Sequence, residues 1–185
     1  MNGVQLKTVL LADPITKPFF RGVYAADTLR TAADLTNYNS QNLFVCNTAP
    51  STTAGRHWLL IYKSGERTVL ADSWRIPFPR YPTEILSFLD TDKVETIPFK
   101  LQHSGSTTCG LYVLYFTHQL CSGLPVDRIV SKFDRDDPLF NDQFVVGWYK
   151  KNFNRVIPFC ADGLVDGMKC ISLDEYNFRL VNDRL

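Results

Sequence analysis

The sequence predicts an α+β fold in which a mostly antiparallel central sheet packs on a buried helix, with further helices flanking the pair. Three observations carry this expectation. Short β-like runs crowd the middle of the chain, at 43–48, 58–62, 68–71 and 94–99. The run 111–120 is apolar on nearly every face, as in a helix buried all round. Helix-period patterns then lie on both sides of these segments.

Taken in order, residues 4–11 read as a first amphipathic helix, stopped at Asp13-Pro14. Residues 19–24 read as extended, 28–35 as helical, and 37–42 as a polar turn cluster. The runs 58–62 and 68–71 are joined by Lys63-Ser64-Gly65-Glu66-Arg67, a hairpin connection with a glycine inside it. After the proline-rich stretch 77–82, Thr83 caps a short helix that runs to Leu89. Beyond the buried run, 125–133 and 137–153 read as amphipathic helices, with Phe140, Phe144, Val145 and Trp148 near one stripe of the second. Short β-like pieces follow at 168–173 and 177–181. With no repeat or low-complexity linker, the 185 residues read as a single domain over 1–185. Its tail, 156–185, is placed to add a strand or to regulate.

Composition narrows the function classes. Hydrophobic residues are 45% and charged residues 21%, an ordinary globular balance. A formal net charge of +1 gives no footprint of a nucleic-acid binder. No segment approaches the ~18 uninterrupted apolar residues of a membrane span, and the N-terminal stretch lacks a secretory cleavage pattern. Cys46, Cys109, Cys121, Cys160 and Cys170 form no CxxC pair, and His57, His103 and His118 complete no zinc spacing. An odd cysteine count points to a reducing, intracellular compartment rather than a disulfide scaffold. Nothing in the pattern demands a partner chain, so a monomer is expected.

The most informative stretch runs from Leu101 to Tyr112. Gln102 stands seven residues before Cys109 across a small polar segment, and Cys109-Gly110 opens the buried helix. A thiol at a helix N-terminus meets unpaired N–H groups and the positive end of the macrodipole, which favour the thiolate. A side-chain amide nearby can donate to an oxyanion forming beside that sulfur.

Such a thiol needs a base, and the base needs an orienting group. His57 opens the strand 58–62, and Asp72 closes the strand 68–71. If the two strands pair as their loop suggests, His57 and Asp72 lie side by side at one sheet edge. Each residue alone has a plainer reading: His57 a satisfied polar residue, Asp72 a turn or cap, Gln102 a loop residue, Cys109 an inert buried thiol, Trp58 a core aromatic. Together, in this order, the four polar residues favour a catalytic set. His103 and His118 are rival bases. His118 lies nine residues along the helix from Cys109, about 13 Å at 1.5 Å per residue, and His103 would need its loop to curl back.

The order His57-Trp58, Asp72, Gln102-x(6)-Cys109-Gly110 resembles the cysteine proteases that include the adenovirus maturation protease (adenain) and the ubiquitin-like-protein proteases. Lys17-Pro18-Phe19-Phe20-Arg21-Gly22-Val23-Tyr24 and Asn47-Thr48-Ala49 followed by Gly55-x-His57-Trp58 are similar to the adenain branch. The resemblance covers roughly residues 10–121. It implies the adenain/papain-like superfold, with Cys109 as nucleophile at the N-terminus of the buried helix and His57 as general base. Asp72 takes the acidic place, Gln102 and the Cys109 N–H form the oxyanion hole, and Trp58 walls a narrow substrate groove.

The resemblance further implies protein substrates, namely capsid or core precursors cut after glycine in Gly-Gly-x or Gly-x-Gly sites, and packaging in a virion. It implies no cofactor for the chemistry. An activating viral peptide or DNA belongs to the adenain pattern, but residues 90–101 hold no cysteine for a peptide disulfide and the chain is near neutral. Alternatives on the same fold are an isopeptidase acting on ubiquitin-like modifiers, an acetyltransferase and a non-catalytic binding protein.

Overall fold

The computed structural model describes residues 1–35, 41–89, 93–153 and 156. The turn cluster expected at 37–42 therefore falls largely outside the described residues, as do the tail's strands and its regulatory role.

Five strands form one sheet in the order β1 (Phe20–Tyr24), β2 (Gln41–Asn47), β3 (Trp58–Ser64), β4 (Arg67–Ala71) and β5 (Val94–Thr96). The expected hairpin is its centre. Antiparallel β3 and β4 pair from Ser64 with Arg67 to Leu60 with Ala71, closing on a two-residue Gly65-Glu66 turn. Gly65 has φ +57, the left-handed value that a II′ hairpin turn asks of its first central residue. β2 pairs antiparallel with β3 from Gln41–Ser64 to Asn47–Trp58.

The sheet is mixed rather than mostly antiparallel, because both outer pairs, β1 with β2 and β4 with β5, are parallel. A parallel pair needs a crossover, and each has one. A 3₁₀ helix (Ala26–Leu35) links β1 to β2, and α2 (Thr83–Leu89) lies between β4 and β5. Both lie on one face, where Leu29, Ile85 and Phe88 bury against Phe44, Leu59, Ile61 and Leu70.

On the opposite face Leu43, Val45, Leu60, Tyr62, Val69 and Ala71 meet the helical layer. Cover on both faces explains why the central strands read as continuous apolar runs rather than alternating ones. That layer is built on α3 (Cys109–Cys121), surrounded by α1 (Gly3–Ala12), α4 (Val126–Val130) and α5 (Pro138–Phe153). Every residue from Gly110 to Thr117 of α3 is buried, as its all-apolar pattern predicts. Asn2 and Gln5 close a reciprocal capping box that starts α1. Tyr115 of α3 meets Phe144 and Trp148 of α5 edge to face, at 5.3 and 5.1 Å between ring centroids.

Of the stripe read on α5, Val145 is buried and Phe144 and Trp148 pack against the core, and Phe140 departs from it. The helix's buried side chains are Asn141, Asp142, Val145, Val146, Tyr149 and Phe153, while Phe140 is 48% exposed. Two polar residues, Asn141 and Asp142, occupy the position where an apolar pattern puts Phe140. They are buried because they bond the loop that carries Cys109.

Candidate active site

Cys109 is held at the first turn of α3, so its thiol lies beside N–H groups that have no acceptor within the helix. His57 precedes β3 directly, and Asp72 follows β4 directly. The hairpin brings them together. His57 Nε2 lies 2.6 Å from Asp72 Oδ1. His57 Nδ1, the nitrogen left for the thiol, is buried and closes no hydrogen bond among the described residues. The thiol is nonetheless close enough to interact with the ring electrostatically.

The turn after β4 wraps the Asp72 carboxylate. Oδ1 also accepts from the Trp74 N–H at 2.8 Å, and Oδ2 accepts from the Ile76 N–H at 2.7 Å and the Tyr81 hydroxyl at 2.6 Å. Arg75, at φ +56, takes the left-handed conformation that lets the chain fold back so tightly. Burial works against the charged Asp72, but His57 and then Tyr81 and the Ile76 N–H outweigh it and hold the carboxyl below its usual range. Burial, and after it the same carboxylate, push the Tyr81 hydroxyl up.

Burial also opposes a charged His57. The hydrogen bond to Asp72 and the negative charge of Asp72 and Cys109 prevail, and the imidazole is pushed up to about 9. For Cys109, burial alone would raise the thiol. The nearby His57 imidazolium first, then the Trp58 backbone N–H and the α-amino group of Met1, bring it below the ordinary value. These two shifts are one effect seen from both partners: the site favours a thiolate–imidazolium pair.

Gln102 is fully buried. Its backbone N–H and that of Leu101 both donate to the Ser73 carbonyl, at 3.0 and 2.9 Å. The Ser73 hydroxyl donates to Gln102 Oε1 at 2.8 Å, which turns Nε2 toward the loop before Cys109. There Nε2 donates to the Ser106 carbonyl at 2.8 Å and to its hydroxyl at 3.0 Å. Gln102 therefore sits buried behind the loop before Cys109, with its amide hydrogens taken by Ser106. Service to an oxyanion requires exchange of one of those bonds.

Trp58 lines the cleft, and its indole N–H donates to the Met1 carbonyl at 3.1 Å. The cleft has a volume of about 760 Å³ and reaches Cys109 past Val23, Asn47, Gly55 and Trp74. Gly55 is needed there, since a Cβ would come within 2.8 Å of Asn47 Nδ2. The rival histidines are elsewhere. His103 accepts from the Gly105 N–H at 3.2 Å, and His118 Nδ1 lies 2.9 Å from Asp13 Oδ2.

Several contributors were not singled out from the sequence. Trp74 stacks on His57, Tyr81 braces Asp72, and Ser73 orients Gln102. Asp142, fully buried on α5, accepts from the Thr108 hydroxyl at 2.8 Å and the Tyr112 hydroxyl at 2.9 Å. It thereby fastens the entrance of α3 to α5, and burial raises its carboxyl. Trp74 had the one available signal, its place two residues after Asp72. No group of three or more metal-binding side chains occurs among the described residues.

No family model matches the sequence, and comparison with curated proteins gives no match. Solved structures do. The ASFV pS273R protease aligns with a TM-score of 0.55 at 15% identity, covering 78% of this chain and 65% of that one. AvrA, in a structure described as AvrA delL154 with IP6 and CoA, aligns with a TM-score of 0.49 at 12% identity over 98% of this chain and 84% of that one. The chain has the α+β fold of the pS273R protease. It spans less than two thirds of that protease's length. The comparison reaches the fold and does not single out the adenain branch.

Proposed function

We propose that this chain is a cysteine peptidase that cleaves proteins after glycine, in Gly-Gly-x or Gly-x-Gly sites, and processes capsid or core precursors of a virus. The observation that carries the reading is the thiol of Cys109 at the start of a buried helix, beside a histidine whose far nitrogen is held by Asp72 at 2.6 Å. The likeness to a protease fold and the resemblance of the motifs support it.

In this reading the Cys109 thiolate attacks the scissile carbonyl carbon, and the carbonyl oxygen becomes an oxyanion. The Cys109 N–H and the Gln102 amide stabilise that charge once Gln102 releases a Ser106 bond. The His57 imidazolium gives its proton to the departing amine as the C–N bond breaks, leaving a thioester on Cys109. Neutral His57 then takes a proton from water, whose hydroxyl oxygen attacks the thioester. The acid product leaves, and the pair regains the thiolate and imidazolium. Asp72 keeps the ring in the tautomer this sequence needs. Trp58 lines the cleft as a wall, and a substrate residue without Cβ lets its backbone pass closest to it.

The test is to incubate wild type and Cys109→Ala with Gly-Gly-x and x-Gly-x-Gly peptides and with ubiquitin-like fusion proteins, and to sequence the products. Wild type should cut after glycine in the peptides, and Cys109→Ala should cut nothing. Cleavage that survives in Cys109→Ala defeats the mechanism. Cleavage restricted to modifier fusions moves the assignment to an isopeptidase.

A further inference from the structure

The rings of His57 and Trp74 lie face to face, with centroids 4.4 Å apart and planes 8° from parallel. We propose that Trp74 is a positioning residue for the His57 base: its indole fixes the plane of the imidazole and favours the ring's protonated form. The inference rests on the reading of His57 as the base.

The local backbone is built to make this stack. Asp72 Oδ1 holds His57 Nε2 and the Trp74 N–H together, at 2.6 and 2.8 Å, so one oxygen fixes both partners. Arg75 in its left-handed conformation and the Ile76 N–H on Asp72 Oδ2 complete a turn that lays the indole over the imidazole. A hydrogen bond through Nε2 alone leaves the imidazole free to swing about that bond. The stack removes this freedom and so aims Nδ1 at Cys109. The face of an indole is its negative region, so it attracts an imidazolium more than an imidazole.

Other charges bear on the same ring and must be separated from the indole. Asp72 and, through it, Tyr81 act from the turn after β4, and Cys109 acts from α3. The α-amino group of Met1 acts on the thiol from ahead of α1. Arg56, which precedes His57, and Arg75, which follows Trp74, have exposed side chains. None of these changes when only residue 74 is replaced.

Two variants test the proposal, Trp74→Leu, which fills space without an aromatic face, and Trp74→Phe, which restores one. The His57 ring is followed by NMR over a pH series, and kcat and KM are measured over the same range. In Trp74→Leu the His57 titration and the alkaline limb of kcat/KM should both move to lower pH, by roughly half to one and a half pH units. Its kcat should fall roughly two- to thirty-fold, the span expected of a cation–π contact, with KM little changed. Trp74→Phe should recover most of both. A folded Trp74→Leu whose His57 titrates where the wild type does overturns the proposal.

Should neither variant fold, the fluorescence of Trp74 itself decides, in a Trp58→Phe/Trp148→Phe background that leaves it the one indole. Emission quenched with the His57 midpoint, and no longer so in His57→Gln, supports the stack; emission that ignores the His57 titration overturns it. The NMR and fluorescence readouts need no substrate, so a protein that cleaves nothing still tests the stack while defeating the proposed function.

Discussion

The three described cysteines occupy very different surroundings, and their chemistry should differ accordingly. Cys46 and Cys121 are pushed up to about 12 by burial, with a carboxylate near each adding to it. Cys109 alone is lowered, through His57 first once the cost of burial is met. We expect iodoacetamide at neutral pH to alkylate Cys109 ahead of Cys46 and Cys121. The Cys109 rate should fall in His57→Gln, and peptide mapping by mass spectrometry reads both results. At this scale the sequence was most legible where one residue type has few uses. A thiol before a glycine at the start of an apolar run has a narrow set of meanings, and a histidine and an aspartate across a hairpin narrow it again. Ser73, Tyr81 and Asp142 were not legible, because each acts through a contact between segments that no spacing records.

The β3–β4 hairpin is the element that assembles the candidate base and its orienter, and its geometry depends on Gly65. A Cβ there meets nothing within 4 Å, so the cost of a side chain is purely conformational. Gly65→Ala should destabilise by about 1–2 kcal/mol. The thermal midpoint should fall by roughly 2–8 °C, read by circular dichroism. Elements built from local pattern were readable in advance: the hairpin, the buried helix α3 and α2 from Thr83 to Leu89. The parallel pairing of β1 and β5 was not. Residues far apart in the chain set it, through the face on which the 3₁₀ segment and α2 bury. Of the α5 stripe only Phe140 faces outward, while Asn141 and Asp142 are buried for hydrogen bonding that an apolar count cannot see.

Across the whole molecule, the sheet separates two apolar layers, and the candidate site lies where the ends of β3 and β4 meet the helical layer. Its buried charges tie the stability of the fold to pH. His57 rises from an ordinary value near 6.5 to about 9 on folding. Its contribution is therefore fully present below about pH 6.5 and lost as pH rises through about 9. Asp72 is lowered, so its contribution holds above its ordinary carboxylate value and is lost as pH falls through the lower folded one. The thermal midpoint of wild type should decline between pH 6.5 and 9 more steeply than that of His57→Gln, measured by calorimetry. Gly110 bears on a different matter. A Cβ there would lie 3.1 Å from Met1 Cβ and 3.6 Å from Leu6 Cδ2, so α1 and α3 cross with no room between their first turns. Met1 also lines the cleft. Residues fused ahead of Met1 therefore emerge at the rim of the candidate active site, and an affinity tag placed there competes with substrate for the same space.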